Sequence, residues 1–160
     1  MANTQRFALS LGIAYILIGV LGFIPALVTY PATFHESNSY LEVVSGYGYL
    51  MGLFPVNSAL NIIHIATGVI GIVASIALDS SRLFSGQIGI YYTALAILGL
   101  VPFAKTFFGL FPLFGYEVLL HGLTGLLGTY FGFFVTPSLR KLFRRELKED
   151  AVAGEVLNSD

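Results

Sequence analysis

The sequence contains no cysteine, which excludes a disulfide, a thiolate metal site, an iron–sulfur cluster and a thiol nucleophile together. Charge is nearly as scarce: 11% of the residues are Asp, Glu, Lys or Arg, against roughly 25% in an average soluble domain. The net charge of −1 offers no basic surface to nucleic acid and no field for an acidic substrate. Apolar residues fill the chain instead, at 56% of the composition with a mean hydropathy of +0.80. Lipid rather than water is the solvent such a composition suits. A length of 160 residues, at about 20 per crossing, holds four spans, their loops and a short tail, with no room for a separate soluble domain.

The few charges avoid four apolar runs. Phe7 to Phe34 and Leu83 to Ala104 contain none, Val43 to Leu78 contains only the titratable His64, and Val118 to Val135 contains only His121. A charge at the centre of a span costs about 2.5–3.5 kcal/mol on insertion, so such runs predict spanning helices. The expected architecture is an all-α, multi-pass membrane protein with helices near 8–28, 56–78, 83–103 and 113–135. Between the first two, Val43 to Phe54 is too short to cross. Its Gly46, Tyr47, Gly48, Tyr49 and Gly52 suit a bent backbone at the headgroup level, as an interfacial or re-entrant segment, or else an ordinary loop.

Arg6 precedes the first helix, Arg82 lies between the second and third, and Arg140, Lys141, Arg144, Arg145 and Lys148 follow the fourth. The remaining loops offer only Lys105, so the positive-inside rule places both termini in the cytoplasm. Arg6 and the apolar stretch after it resemble the start of a signal peptide, but an internal repeat gives that first helix a counterpart later in the chain.

Gly52-Leu-Phe-Pro55 recurs as Gly109-Leu-Phe-Pro112, and at the same spacing His64 matches His121, Thr67-Gly68 matches Thr124-Gly125, and Gly71 matches Gly128. The preceding helices match more sparsely, Ile13 to Pro25 against Ile90 to Pro102. Two tandem copies of a helical hairpin account for this. Each copy crosses twice, so the copies share an orientation and are related by a pseudo-twofold axis along the membrane normal.

That symmetry puts the two histidines at equal depth. Each lies nine residues past a proline that suits a helix start, or about 13 Å along a helix, near the middle of a core about 30 Å thick. His64 shares a helix face with Gly68 and Gly71, and His121 with Gly125 and Gly128. Asn57 and Asn61 extend the first stripe, and Glu117 extends the second. Three readings compete. The histidines can ligate a haem or chlorophyll, with glycine letting the macrocycle approach the backbone. They can form a proton or metal site with Glu117, although dense ligand spacing is missing. Or the glycines serve close helix packing while each histidine bonds across the bundle to Thr67, Thr124, Asn61, Tyr15 or Tyr92, the ordinary role of such residues.

After Thr136-Pro137, Leu139, Leu142, Phe143 and Leu147 fall on one side of a helix whose other side carries the five basic residues. Residues 1–137 thus form the transmembrane domain, 138–150 a basic amphipathic helix on anionic headgroups or a topology anchor, and 151–160 a disordered tail.

Gly52-Leu-Phe-Pro-Val-Asn57, Asn61-Ile-Ile-His64, Gly68 and Gly71, with Leu119-Leu-His121-Gly-Leu-Thr-Gly125 as a second copy, resemble a bacterial family of four-helix membrane proteins known only as a domain of unknown function. Against that family's pattern, Leu60 replaces a polar residue and Phe114-Gly-Tyr-Glu117 replaces a more Asn- and Asp-rich approach to the second histidine. The resemblance implies a fold and a bilayer location, with no activity attached. No Ser-His-Asp spacing, phosphate loop or metal-protease signature is present, so no enzyme is expected. A structural, assembly or accessory subunit working beside another membrane protein is the leading expectation, with a histidine-ligated pigment or haem protein second and a small transporter or proton pathway third.

Overall fold

Helix α1 occupies Asn3–Leu21, where the Gln5 side-chain oxygen accepts the Ala2 backbone N–H at 2.8 Å and closes the first turn. It stops at Gly22, and Pro25 opens a short 3-10 turn over Pro25–Leu27; both residue types punctuate a helical pattern. Helix α2, Ser58–Ala74, starts at Asn57, whose side-chain oxygen accepts the Leu60 N–H at 2.9 Å. Helix α3, Leu78–Leu100, carries Asp79 in its first turn, where a carboxylate suits the positive end of the helix dipole. Helix α4, Tyr116–Thr129, follows Gly115 at φ +63° and runs on as a π-helical segment over Tyr130–Val135.

This computed structural model describes residues 1–31, 43 and 46–135. The amphipathic helix expected over 138–150, with Arg140, Lys141, Arg144, Arg145 and Lys148, lies outside the described residues. The molecule is mostly helical, and α1, α3 and the stretch Tyr116–Val135 are each long and apolar enough to cross a membrane. Helix α2 has 17 residues, which is roughly the shortest length that spans a hydrocarbon core. Compared with the sequence expectation, α1 begins and ends earlier, and α3 begins before Asp79 and Arg82 rather than after them. The first five residues of α3 accommodate both charges, so charge alone misplaces that boundary.

The all-α expectation is corrected at one end of the bundle. Strands β1 (Val28–Thr29), β2 (Gly48–Leu50) and β3 (Phe54–Val56) form an antiparallel sheet in that order, pairing Val28 with Leu50 and Tyr49 with Pro55. The Gly- and Tyr-rich run therefore supplies a β-hairpin, with Met51 (φ +51°) and Gly52 (φ +71°) at its tip. Alternation explains why: Gly48 and Leu50 point inward while Tyr49 is half-buried between them. Proline is tolerated because β3 is an edge strand. Val28, Leu50 and Val56 pack with Ile18, Leu21 and Phe54 over the end of α1.

Backbone contact between helices sets the rest. In the α1–α2 pair, a Cβ on Gly12 would stand 2.7 Å from the Gly68 carbonyl oxygen, and one on Gly68 would stand 2.7 Å from the Ile16 nitrogen. In the α3–α4 pair, a Cβ on Gly128 would stand 2.9 Å from the Gly89 Cα, and one on Gly125 would stand 2.7 Å from the Thr93 nitrogen. Small residues that let backbones touch are the usual means of helix association in lipid. The two pairs meet along a core that includes Ala8, Tyr15, Leu60, Phe84, Ile88, Tyr92, Phe111 and Leu113. Facing away from it are exposed apolar side chains such as Ile62, Val69, Ile70 and Val73 of α2, and Ile90, Ile97 and Leu100 of α3. A surface of that kind is suited to lipid.

Candidate functional site

Helix α2 brings His64 to the centre of the bundle, and α4 brings Glu117 and His121, one turn apart on the same face. All three side chains are fully buried. One Glu117 oxygen, Oε2, lies 3.3 Å from His121 Nε2 and 3.9 Å from His64 Nε2. One atom from each residue can be chosen so that the three lie within 4.8 Å of one another.

The surrounding aromatics fix the rings without satisfying them. Tyr15 meets His64 edge-on at a centroid distance of 5.1 Å, Tyr92 meets His121 at 5.0 Å, and the two tyrosines lie 5.1 Å apart. Their hydroxyls turn elsewhere: Tyr15 Oη and Thr124 Oγ1 share a hydrogen bond of 2.8 Å, and the Tyr92 hydroxyl donates to Thr67 Oγ1 at 3.1 Å. Each tyrosine is thus bonded to a threonine of the other helix pair. This corrects the expectation that a hydroxyl of Tyr15, Tyr92, Thr67 or Thr124 would serve each histidine. Among the described residues, no hydrogen-bond partner reaches either nitrogen of His64 or His121, either oxygen of Glu117, or Oδ1 of Asn61. Buried polar atoms are nearly always paired, and leaving one unpaired costs about 1–3 kcal/mol. Six of these seven atoms belong to the His64–Glu117–His121 group and therefore require an explanation beyond packing.

The remaining candidates separate by role. Gly68, Gly71, Gly125 and Gly128 face neighbouring helices: a Cβ on Gly71 would lie 3.0 Å from the Ala8 carbonyl oxygen, and one on Gly128 would lie 2.9 Å from that of Ser85. The glycine grooves are filled by α1 and α3, which leaves the expected haem or chlorophyll without support. Asn57 caps α2, and its amide donates to the Leu110 carbonyl at 2.9 Å, tying the start of α2 to the loop before α4. Asn61, one turn before His64, is buried and keeps an unpartnered amide oxygen. The tyrosine–threonine exchange is what the sequence reading missed, although the match of Tyr15 to Tyr92 and of Thr67 to Thr124 carried the signal.

Two imidazoles and one carboxylate in a dry core form a donor set typical of divalent transition metals. In a tetrahedral zinc site neighbouring donor atoms stand about 3.3 Å apart. The His121–Glu117 separation has that value, and the His64–Glu117 separation is wider by a fraction of an ångström.

A helical protein with membrane-spanning character and a buried histidine–carboxylate centre is the class these features define. The family follows: residues 5–134 match the model for the domain of unknown function DUF4383, and the chain belongs to that family. No curated protein and no solved structure matches it.

Proposed function

We propose that the chain is a four-span membrane protein that holds one divalent transition-metal ion at the middle of its bundle, through His64, His121 and Glu117. The observation that carries this is the convergence of three fully buried ligand residues whose nitrogen and oxygen atoms lack other partners. Neutral imidazoles supply lone pairs, and the Glu117 carboxylate supplies the negative charge that offsets the cation where solvent cannot.

The metal takes a structural or accessory role in this proposal, with no enzymatic reaction attached, and the complex works beside other membrane proteins. Two tandem hairpins of one orientation hold the site, with both termini cytoplasmic. Supporting the tandem reading are the matched glycine contacts of the two helix pairs and the crossed tyrosine–threonine bonds. Absence of native cysteine makes orientation easy to read: cysteines introduced at Thr29 and Lys105 should label from outside intact cells, and one at Asp79 should not.

Metal content tests the function directly. The protein is purified in mild detergent without chelator, its zinc, copper, iron and manganese are measured by elemental mass spectrometry, and its visible spectrum is recorded. A stoichiometric divalent metal that drops to background in His121→Ala and Glu117→Gln is expected. A wild-type protein that carries no metal and takes up neither zinc nor copper after chelation would sink the proposal, as would a visible band of haem or chlorophyll that disappears with His64→Ala.

A further inference from the structure

One helical glycine is not explained by helix packing. At Gly68, Gly71, Gly125, Gly128 and Gly132, a Cβ would collide with a neighbouring backbone. At Gly122 it would meet only the Ala96 Cβ, at an ordinary 3.9 Å. Glycine inside a helix costs about 1 kcal/mol relative to alanine, and no described residue of the protein uses the space it leaves.

Gly122 lies in a groove of about 630 Å³ between the end of α3 and the outward side of α4, with Gly99, Leu100, Val118 and Leu126 among its lining residues. The groove is mostly apolar, and Lys105 stands in its wall on the loop that joins the two helices. Lys105 forms no ion pair among the described residues. The other described cationic side chains, Arg6 and Arg82, sit near the starts of α1 and α3, at the opposite end of the bundle. Lys105 is therefore the only described positive charge at the end where α3 stops and α4 begins.

We propose that this groove binds one anionic phospholipid, with an acyl chain lying over Gly122 and the phosphate held by the Lys105 ammonium. Length favours lipid over a partner helix. From Val118 to Leu126 the groove follows α4 for about 12 Å at 1.5 Å per residue, close to the depth of one leaflet, about half of a 30 Å core. A transmembrane helix would need a contact running the whole thickness. Charge favours an anionic headgroup, because a lone cation at the headgroup level attracts one by about 1 kcal/mol. The proposal rests on the membrane location of the chain and is independent of the metal centre.

The test uses the full chain reconstituted in nanodiscs of equimolar phosphatidylglycerol and phosphatidylcholine, released into mild detergent and examined by native mass spectrometry. Wild type should retain one phosphatidylglycerol in preference to phosphatidylcholine. Lys105→Gln should lower that preference about fivefold, the equivalent of about 1 kcal/mol. Gly122→Leu should abolish the retained lipid by placing a side chain where the acyl chain would lie against α4. Circular dichroism and gel filtration verify that both variants are folded, and Lys105→Gln provides a second arm if leucine at 122 disturbs α4. Retention without headgroup preference would overturn the proposal, as would lipid that survives Gly122→Leu. A co-purifying membrane protein lost in Gly122→Leu, with no bound lipid in wild type, would assign the groove to a helix instead.

Discussion

Four residues before its histidine, α2 carries Leu60 and α4 carries Glu117, and both are fully buried. The residue that follows is Asn61 in α2 and Val118 in α4. Elsewhere the two helix pairs use the same devices: glycines against backbone, a tyrosine beside a histidine, and a threonine three residues beyond that histidine. At the centre, the difference lies in the residues one turn before each histidine. Gly68 and Gly71 recur as Gly125 and Gly128 because backbone contact leaves little room for a side chain, whereas Gly19 is matched by Ala96. The positions around the histidines are free to differ, because one carboxylate and two imidazoles suffice for a site and a second carboxylate would add an unpaired charge. Shared architecture and unequal chemistry thus follow from different physical tolerances.

The largest expected effect comes from breaking what the pairs share. Gly128→Leu should cost on the order of 3 kcal/mol or prevent folding, since the side chain would enter the backbone of Gly89 and Ser85. Loss of a monodisperse peak in gel filtration, together with a lowered melting temperature, would register it. Next comes the chemistry that differs. Glu117→Leu makes α4 resemble α2 and should abolish metal binding while stabilising the metal-free protein by about 1–4 kcal/mol, because it removes a buried carboxylate that no hydrogen bond satisfies. The double exchange Leu60→Glu with Glu117→Leu moves the carboxylate to the other pair, and recovery of metal uptake would demonstrate that the two positions are interchangeable about the centre. If uptake stays at background, the equivalence is broken.

Smaller effects sharpen the comparison at the helix starts and hydroxyls. Asn57→Ala removes a cap that α4 lacks, since Gly115 offers no side chain, and should cost about 1 kcal/mol in thermal or denaturant unfolding. Tyr15→Phe and Tyr92→Phe should each cost roughly 0.6 kcal/mol, by equal amounts. A clear inequality between them would show that the pairs contribute unequally to the central layer.

The three long spans are legible in the sequence because uninterrupted apolar runs have few other uses, and the i, i+4 spacing of Glu117 and His121 is visible once α4 is assigned. The meeting of those residues with His64 depends on helix rotation about two seams, which spacing within one helix does not specify. The sheet is obscured for another reason. Two- and three-residue strands give alternation too little length to register, and the Gly-Tyr run around Gly48 resembles a bent membrane segment as closely as it resembles a hairpin. Gly122 stands apart from both cases. Beside His121 it looks like another packing glycine, and only the open space around it distinguishes it from Gly125.

The crossed bonds, Tyr15 to Thr124 and Tyr92 to Thr67, also make each helix pair depend on the other. In the first two helices, Tyr15 and Thr67 have partners that belong to the last two. Neither pair is a finished object on its own. Cut between Ala74 and Leu78, the two pieces would each carry two hydroxyls whose partners lie on the other piece.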